Sequence, residues 1–172
     1  LWYKMHWFEM AARVPLLVHA PARFAAHRVA QSVSTVDLLP TLVELAGGQV
    51  EPGLALDGRS LLPHLQGNGG HDEVLGEYMA EGTTSPLMMI RRGEWKFVYS
   101  EEDPLLLFNV ANDPQERENL AASPDHREQL EAFLAEARSR WDMAAIHGAT
   151  LASQRRRRLV AEALTKGKLK SW

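Results

Sequence analysis

Apolar positions along this chain follow three different periods, and each period predicts a different element. Arg13-Val14-Pro15-Leu16-Leu17-Val18-His19 is a continuous apolar run stopped by Pro21. Such a Val- and Leu-rich run predicts a strand buried on both faces of an α/β sheet, here the last strand of its core. Leu39, Leu42, Val43 and Ala46 then recur at helical spacing, with Ser34 and Asp37 as a capping-box-like start and Gly47-Gly48 as the stop. Pro40 lies inside that pattern, so a kink or a start later than Ser34 is expected. After a Gly- and Pro-rich loop over 47–58, a short helix is expected near Ser60 to Leu65. The glycines between Gln66 and His71 mark a subdomain boundary.

From Leu87 the period changes to that of strands. Leu87 to Arg91, Trp95 to Tyr99 and Leu105 to Val110 are three short β-like runs whose short connections predict a small antiparallel sheet. Ser123-Pro124 then reads as an N-cap with proline at the first helical position. Leu130, Phe133, Leu134, Ala137 and Trp141 follow at 3.6-residue spacing up to a break at Gly148, a helix expected to cover one face of the sheet. A second helix is expected over Thr150 to Lys166, with Gly167 as its stop and basic residues crowding its C-terminal half. The division that follows is 1–72 as the end of a large α/β domain, 73–148 as a subdomain with sheet and helix, and 149–172 as a helical tail.

Composition narrows the functional classes. Of 172 residues, 45% are hydrophobic and 24% charged, which fits a globular chain and no disordered or collagen-like one. A formal net charge of -3 gives no global electrostatic case for a nucleic-acid partner. With no cysteine, disulfides, thiolate metal sites and a cysteine-derived nucleophile are absent from this polypeptide. No apolar run approaches the ~18 residues that cross a bilayer, so no membrane association is expected. The chain opens on Leu1-Trp2-Tyr3-Lys4 without an initiator Met or a leader-like pattern, and the expectation is a fragment of a longer protein. No targeting signal is readable, and the cytoplasm is the default expectation.

Candidate chemistry is concentrated near the start. Lys4 stands among Trp2, Tyr3, Trp7 and Phe8. One reading places these aromatics in a core, with Lys4 reaching solvent. The other has the ammonium binding an anionic oxygen while aromatic faces receive a ligand cation, at roughly 0.5 to 2 kcal/mol per contact. Arg155 to Arg158 form the one strong charge run, but successive helical residues are rotated by about 100°, so the guanidinium groups fan round the helix. That favours a solvated or subunit-contacting face over RNA. The seven histidines show no HxH or HExxH pair, and no metal-ligand set is read in this chain. Asp113-Pro114-Gln115-Glu116 reads as a turn whose carboxylates have no partner at acid/base spacing.

Several segments in one order resemble the C-terminal third of sulfatases in the alkaline-phosphatase superfamily. Lys4, Glu9 and Arg13-Val14-Pro15 resemble the sulfatase K-x-x-x-x-E…R-V-P segment. Val33 to Leu42, with Asp37 at its centre, is similar to the next signature, and Leu56-Asp57-Gly58-Arg59-Ser60-Leu61 follows in order. Arg91-Arg92-Gly93-Glu94-Trp95-Lys96-Phe97 is similar to the R-x-G-x-W-K strand. Leu107-Phe108-Asn109 through Asn112-Asp113-Pro114 to Glu118-Asn119-Leu120 resembles the L-Y-N…D-P-x-E-x-x-N-L element. The opening around Lys4, the Gly76 to Thr84 stretch and the basic tail to Trp172 look most like the choline-sulfatase branch.

The resemblance implies an α/β chain forming the C-terminal part of an alkaline-phosphatase-like sulfatase fold, with a small antiparallel sheet packed by a helix and a helical tail. It implies hydrolysis of choline-O-sulfate to choline and sulfate. It also implies a calcium ion and a formylglycine made from Cys or Ser in a C/S-x-P-x-R motif, both placed by the family upstream of Leu1. On the matching positions, Lys4 would hold a sulfate oxygen, and Glu9 would pair with Arg13 or a backbone amide. Glu81, with Glu77 as second choice, would place a carboxylate beside the trimethylammonium group, and Trp2 and Trp7 are weaker candidates for the aromatic cage. The tail, with Trp172 as an aromatic anchor, implies a homo-oligomer. Two other readings stay open: a phosphonate or phosphate ester hydrolase of the same superfamily, and a non-catalytic binding or oligomerisation remnant.

Overall fold

The computed structural model describes residues 5–167. Its centre is a four-stranded antiparallel sheet, β1 (Glu73–Tyr78), β2 (Leu87–Arg92), β3 (Trp95–Tyr99) and β4 (Leu106–Asn109), in spatial order β1-β2-β3-β4. The register sets Leu75 opposite Ile90, Ile90 opposite Phe97 and Phe97 opposite Leu107. Because side chains alternate between faces, these residues share one face with Met88 and Tyr99, while Gly76, Tyr78, Arg91, Lys96 and Phe108 share the other.

The first face carries the hydrophobic core. Phe97 stacks on Phe133 at 5.7 Å, and Ala137, Trp141 and Met143 close the cluster. Phe133 and Ala137 come from α4 (Arg127–Arg140), Met143 from α5 (Met143–Lys166) and Trp141 from the joint between them, so the expected helix does cover one face. Its end differs from the expectation. α4 stops at Arg140 and Trp141 is extended, after which the Asp142 side chain accepts the Ala145 N–H at 2.9 Å and starts α5, which runs straight through Gly148. A side-chain cap of this kind is worth ~1 kcal/mol and so offsets the ~1 kcal/mol that a mid-helix glycine costs. From Gln154 onward every described residue of α5 is exposed, Arg155 to Arg158 included. No helix among the described residues is long and apolar enough to cross a membrane.

The opposite face is covered by the N-terminal segment, which holds the short helix α1 (Glu9–Ala12). The Phe8 ring lies 5.9 Å from that of Phe108. Beyond α1, residues 13–20 form no strand, and Val14, Leu16, Leu17 and Val18 are exposed. A doubly buried strand needs paired edges and two covered faces, and no described segment supplies either.

Asp37 holds the next region together. The capping box forms with Ser34, but through a single 3-10 turn, and α2 (Leu38–Leu45) starts after it with Pro40 tolerated in its first turn. The buried Asp37 carboxylate accepts the Ser34 N–H at 2.7 Å, the Arg59 N–H at 2.8 Å and His71 Nε2 at 3.1 Å. Thr41 Oγ1 donates to the Asp37 carbonyl at 2.6 Å and accepts the Leu61 N–H at 2.8 Å, tying α2 to α3 (Leu62–Leu65). Gly58 is obligatory because a Cβ there would lie 2.1 Å from the Val36 carbonyl oxygen. The apolar stripe of α2 is only partly used, since Leu39 and Leu42 remain exposed.

On the core face, Arg92 links three elements. Its guanidinium bonds Glu73 on β1 at 2.8 Å and Glu136 on α4 at 2.9 and 2.8 Å, and lies 5.8 Å from the Phe133 ring centre. The Arg92 hydrogen bond, helped by Arg140 and opposed by burial, holds the Glu136 carboxyl down at about 2. A carboxyl depressed on folding contributes stability above its unfolded pKa and loses it as pH falls through the folded one. Glu136→Gln is therefore expected to lower stability at neutral pH and to flatten the acid dependence between pH 4.5 and about 2. Urea unfolding of the full-length gene product across that range measures this, and an unchanged acid limb would contradict it.

Candidate functional site

The N-terminal segment is seated on the sheet by the fit of Trp7. Its indole N–H donates to the Leu87 carbonyl at 3.0 Å, and its ring lies where a Cβ on Gly76 would be, 2.7 Å from that position. Gly76 is needed here for close approach, and its missing side chain is the space the indole fills. Tyr78 meets Trp7 edge-on, with ring centres 6.4 Å apart, and its hydroxyl donates to the Glu81 carbonyl at 2.8 Å. That bond folds the β1–β2 connection back toward the segment. Gly82, at φ 81°, takes a conformation that other residues rarely adopt, and the Met5 sulfur packs 2.6 Å from where its Cβ would be. Met5, Trp7, Tyr78 and the Glu81 loop therefore converge on one face of the sheet.

Beneath Trp7 lies a buried ion cluster. The Lys96 side chain is 1% exposed, and its ammonium sits 2.5 Å from Glu9 Oε1 and 2.7 Å from Glu116 Oε1. It donates to the Trp7 carbonyl at 2.8 Å. Glu116 Oε2 accepts the Glu9 N–H at 2.5 Å, while its Oε1 meets Lys96 as an ion pair off the hydrogen-bonding direction. Arg91 Nε approaches Glu9 Oε1 at 3.9 Å, so two cations face two carboxylates. Glu116 has φ 53°, a left-handed conformation uncommon for a residue with a side chain, in the turn where its N–H bonds the Asp113 carbonyl at 3.1 Å. Nearby, burial holds the His6 imidazole below its ordinary pKa, although Glu116 pulls it upward.

Asparagines shape the loop that delivers Glu116. Asn109 Oδ1 accepts the Ala111 and Asn112 N–H groups at 3.2 and 3.1 Å. Asn119 caps the edge of β4, with Oδ1 accepting the Leu107 N–H at 3.0 Å and Nδ2 donating to the Leu105 carbonyl at 3.0 Å. An edge strand whose free backbone groups are taken up in this way offers less of a template for another chain.

The residues expected to form a site are distributed as follows. Lys4, Trp2 and the tail anchor Trp172 lie outside the described residues. Trp7 is on the segment-bearing face, its N–H and one ring face used by the sheet. Glu81 is exposed in the loop beside Met5. Glu77 is on the opposite, helix-bearing face, where its Oε1 accepts the Trp141 indole N–H at 2.7 Å, and the fold does not bring it to Trp7. Glu9 pairs with Lys96 instead of Arg13, because the β3 ammonium points up beneath α1 while Arg13 is exposed. The turn carboxylate Glu116, for which the sequence offers no partner at acid/base spacing, meets Lys96 and the Glu9 N–H across the fold. Lys96 was legible in part: a charged residue between Trp95, Phe97, Val98 and Tyr99 is out of place on any strand that covers both faces. Only the fold shows which carboxylates meet it.

Among the described residues no group of three or more His, Asp or Glu gathers in a way that could hold a metal ion, and the C/S-x-P-x-R motif does not occur in the sequence. The described residues do not fit a calcium site, and the sequence holds no precursor motif for a formylglycine.

The family model described as N-sulphoglucosamine sulphohydrolase, C-terminal, matches residues 1–140. The sheet, its helix and the joints around Lys96 and Asp37 thus fall within a sulfatase C-terminal region, and the chain belongs to that family. Along its whole length it is 41% identical to the choline-sulfatase of Rhizobium meliloti (strain 1021), spanning 34% of that protein. It is 34% identical to human arylsulfatase K over 69% of this chain and 24% of the relative. The phosphonate monoester hydrolase of Silicibacter pomeroyi superposes with a TM-score of 0.64 at 25% identity, covering 78% of this chain and 30% of that one. The chain spans about a third or less of the relatives it matches.

Replacing Lys96 by Met keeps most of the apolar stem and removes the ammonium that faces the buried Glu116 and the partly buried Glu9. Breaking a buried pair from one side costs ~3–5 kcal/mol. Lys96→Met is expected to show that loss in urea unfolding of the full-length gene product, with part of it recovered when Glu116→Gln is added. A loss within ~0.5 kcal/mol, the range of surface substitutions, would contradict a desolvated cluster.

Proposed function

We propose that this chain is the C-terminal part of a sulfuric ester hydrolase acting on choline-O-sulfate, in which Lys4 binds a sulfate oxygen and the Glu81 loop helps receive the trimethylammonium group. One observation carries the reading: Met5 and Trp7, which follow Lys4 closely in sequence, meet Tyr78 and the Glu81 loop on one face of the sheet. A fixed ammonium at the sulfate stabilises the charge that develops as the S–O ester bond breaks. A quaternary ammonium offers no hydrogen-bond donor, so it is recognised by carboxylate charge and aromatic faces, at ~0.5–2 kcal/mol per ring. The bond from the Tyr78 hydroxyl to the Glu81 carbonyl supports Glu81 over Glu77, whose carboxylate is occupied by Trp141 on the other face. The 41% identity to a choline-sulfatase supports the choice of alcohol. On this reading the nucleophile and the metal belong to another part of the protein, and the chain by itself does not turn over substrate.

The exposed stretch of α5, with Leu159, Val160 and Leu164 all more than half exposed, supports a contact between copies through the tail. Deleting residues 150 to 172 from the full-length gene product is expected to lower its mass in solution, and an unchanged oligomer by light scattering would contradict this.

The second reading, a phosphonate or phosphate ester hydrolase, is favoured by the superposition on the Silicibacter pomeroyi enzyme. Esters of one alcohol separate the two. The full-length gene product is expected to hydrolyse choline-O-sulfate with kcat/KM at least ~10-fold above that for phosphorylcholine, a margin of about 1.4 kcal/mol in transition-state binding. Preference for the phosphate ester would overturn the sulfatase reading of the site.

A further inference from the structure

We propose that the Lys96–Glu9–Glu116 cluster is the positioning device of the site: it clamps residues 7–12 onto the sheet and so fixes where the chain carrying Lys4 leaves it. The inference rests on the reading of Lys4 as the sulfate-binding lysine. Three attachments, two from Lys96 and one from Glu116, converge on this short segment from below. Lys96 bonds the Trp7 carbonyl at 2.8 Å and pairs with the Glu9 side chain at 2.5 Å. Glu116 accepts the Glu9 backbone N–H at 2.5 Å. The Glu9 N–H is one that a helix start leaves without a partner in its own chain, and the Trp7 carbonyl stands just before the N-cap residue Phe8. The clamp therefore grips the main chain itself, on either side of Phe8.

Reach makes the clamp relevant to the site. Trp7 is three residues after Lys4, and a chain advances at most ~3.3–3.6 Å per residue. At most about 11 Å of chain therefore separates Lys4 in sequence from a peptide whose carbonyl is fixed by a buried ammonium. α1 is a four-residue helix with no side-chain cap and no buried residue, so it cannot hold this position by its own helical stability. Lys96 and Glu116 touch no substrate on this reading and act only by placing Lys4. A displacement of the order of 1 Å at a catalytic group can cost ~10²-fold in rate.

The test is a double-mutant cycle on choline-O-sulfate turnover by the full-length gene product, with amide hydrogen exchange measured on the same variants. Lys4→Ala, Lys96→Met and the pair are compared, and Glu116→Gln, which keeps shape and the Lys96–Glu9 contact, replaces Lys96→Met if that variant does not fold. Lys96→Met is expected to lower kcat ~10²-fold while KM moves less than ~3-fold, since the lost term is placement in the transition state. The double variant is expected to be no slower than Lys4→Ala by more than ~3-fold, because the second change acts through the first. Exchange at Ala11, Ala12 and Arg13, whose N–H groups bond Phe8 and Glu9 carbonyls, is expected to speed up. Rate losses that multiply in the double variant overturn the proposal, as does unchanged exchange in Lys96→Met. A near-wild-type rate for Lys4→Ala overturns the Lys4 reading instead. A slow Lys4→Ala beside a Lys96→Met that keeps its kcat overturns the clamp alone.

Discussion

Arg91 on β2 and Lys96 on β3 stand directly opposite each other on one face of the sheet. Like charges in that register repel, and Lys96 has no water to relieve it, since its side chain is almost fully buried. The sheet is therefore stable only with carboxylates brought to that face from elsewhere. Glu9 comes from the N-terminal segment and Glu116 from the loop after β4, and both reach the same ammonium. One electrostatic requirement of the sheet thus decides where two distant segments go. The apolar contacts above it, Trp7 on Gly76 and Phe8 on Phe108, close over a position that the charges have set.

The two faces of the sheet have separate tasks. The helix-bearing face is a hydrophobic core of ordinary kind, with Phe97, Ile90, Leu107 and Phe133 excluded from solvent and Arg92 tying its rim to α4. The other face is assembled from polar joints. Buried charges contribute little net stability, because desolvation cancels most of the attraction, but they penalise any arrangement that separates them. Asp37 works by the same logic further along, gathering Ser34, Arg59 and His71 round one carboxylate. His64 packs edge-on against His71, and burial first, then that neighbour, holds its imidazole below the ordinary pKa.

Much of this was legible in the sequence where a single period governs. β2, β3 and β4 are short, largely apolar runs buried on both faces, and their limits fall within a residue or two of the expected ones. β1 was missed because Gly76 and Glu77 break its alternation, and the reason for the glycine is an indole from outside the strand. Helix propensity places the break at Gly148, whereas the actual break is an aspartate cap six residues earlier, supported by the burial of Trp141 and Met143. The family signatures are visible in the sequence as residue strings, but the contacts behind them are not. The Glu of the first pairs with the Lys of the R-x-G-x-W-K strand, and the turn carboxylate Glu116 completes the pair. Such pairings are fixed by three-dimensional register, which no local pattern encodes.

A sulfatase C-terminal region built in this way would serve chemistry by placing one cation, carried on a short segment, against the rest of the site. The most direct measurement is a crystal structure of the full-length gene product with inorganic sulfate bound. The account predicts the Lys4 ammonium within hydrogen-bonding distance of a sulfate oxygen, with Glu9 and Glu116 still on Lys96. A sulfate held without Lys4, while that cluster is intact, would contradict it.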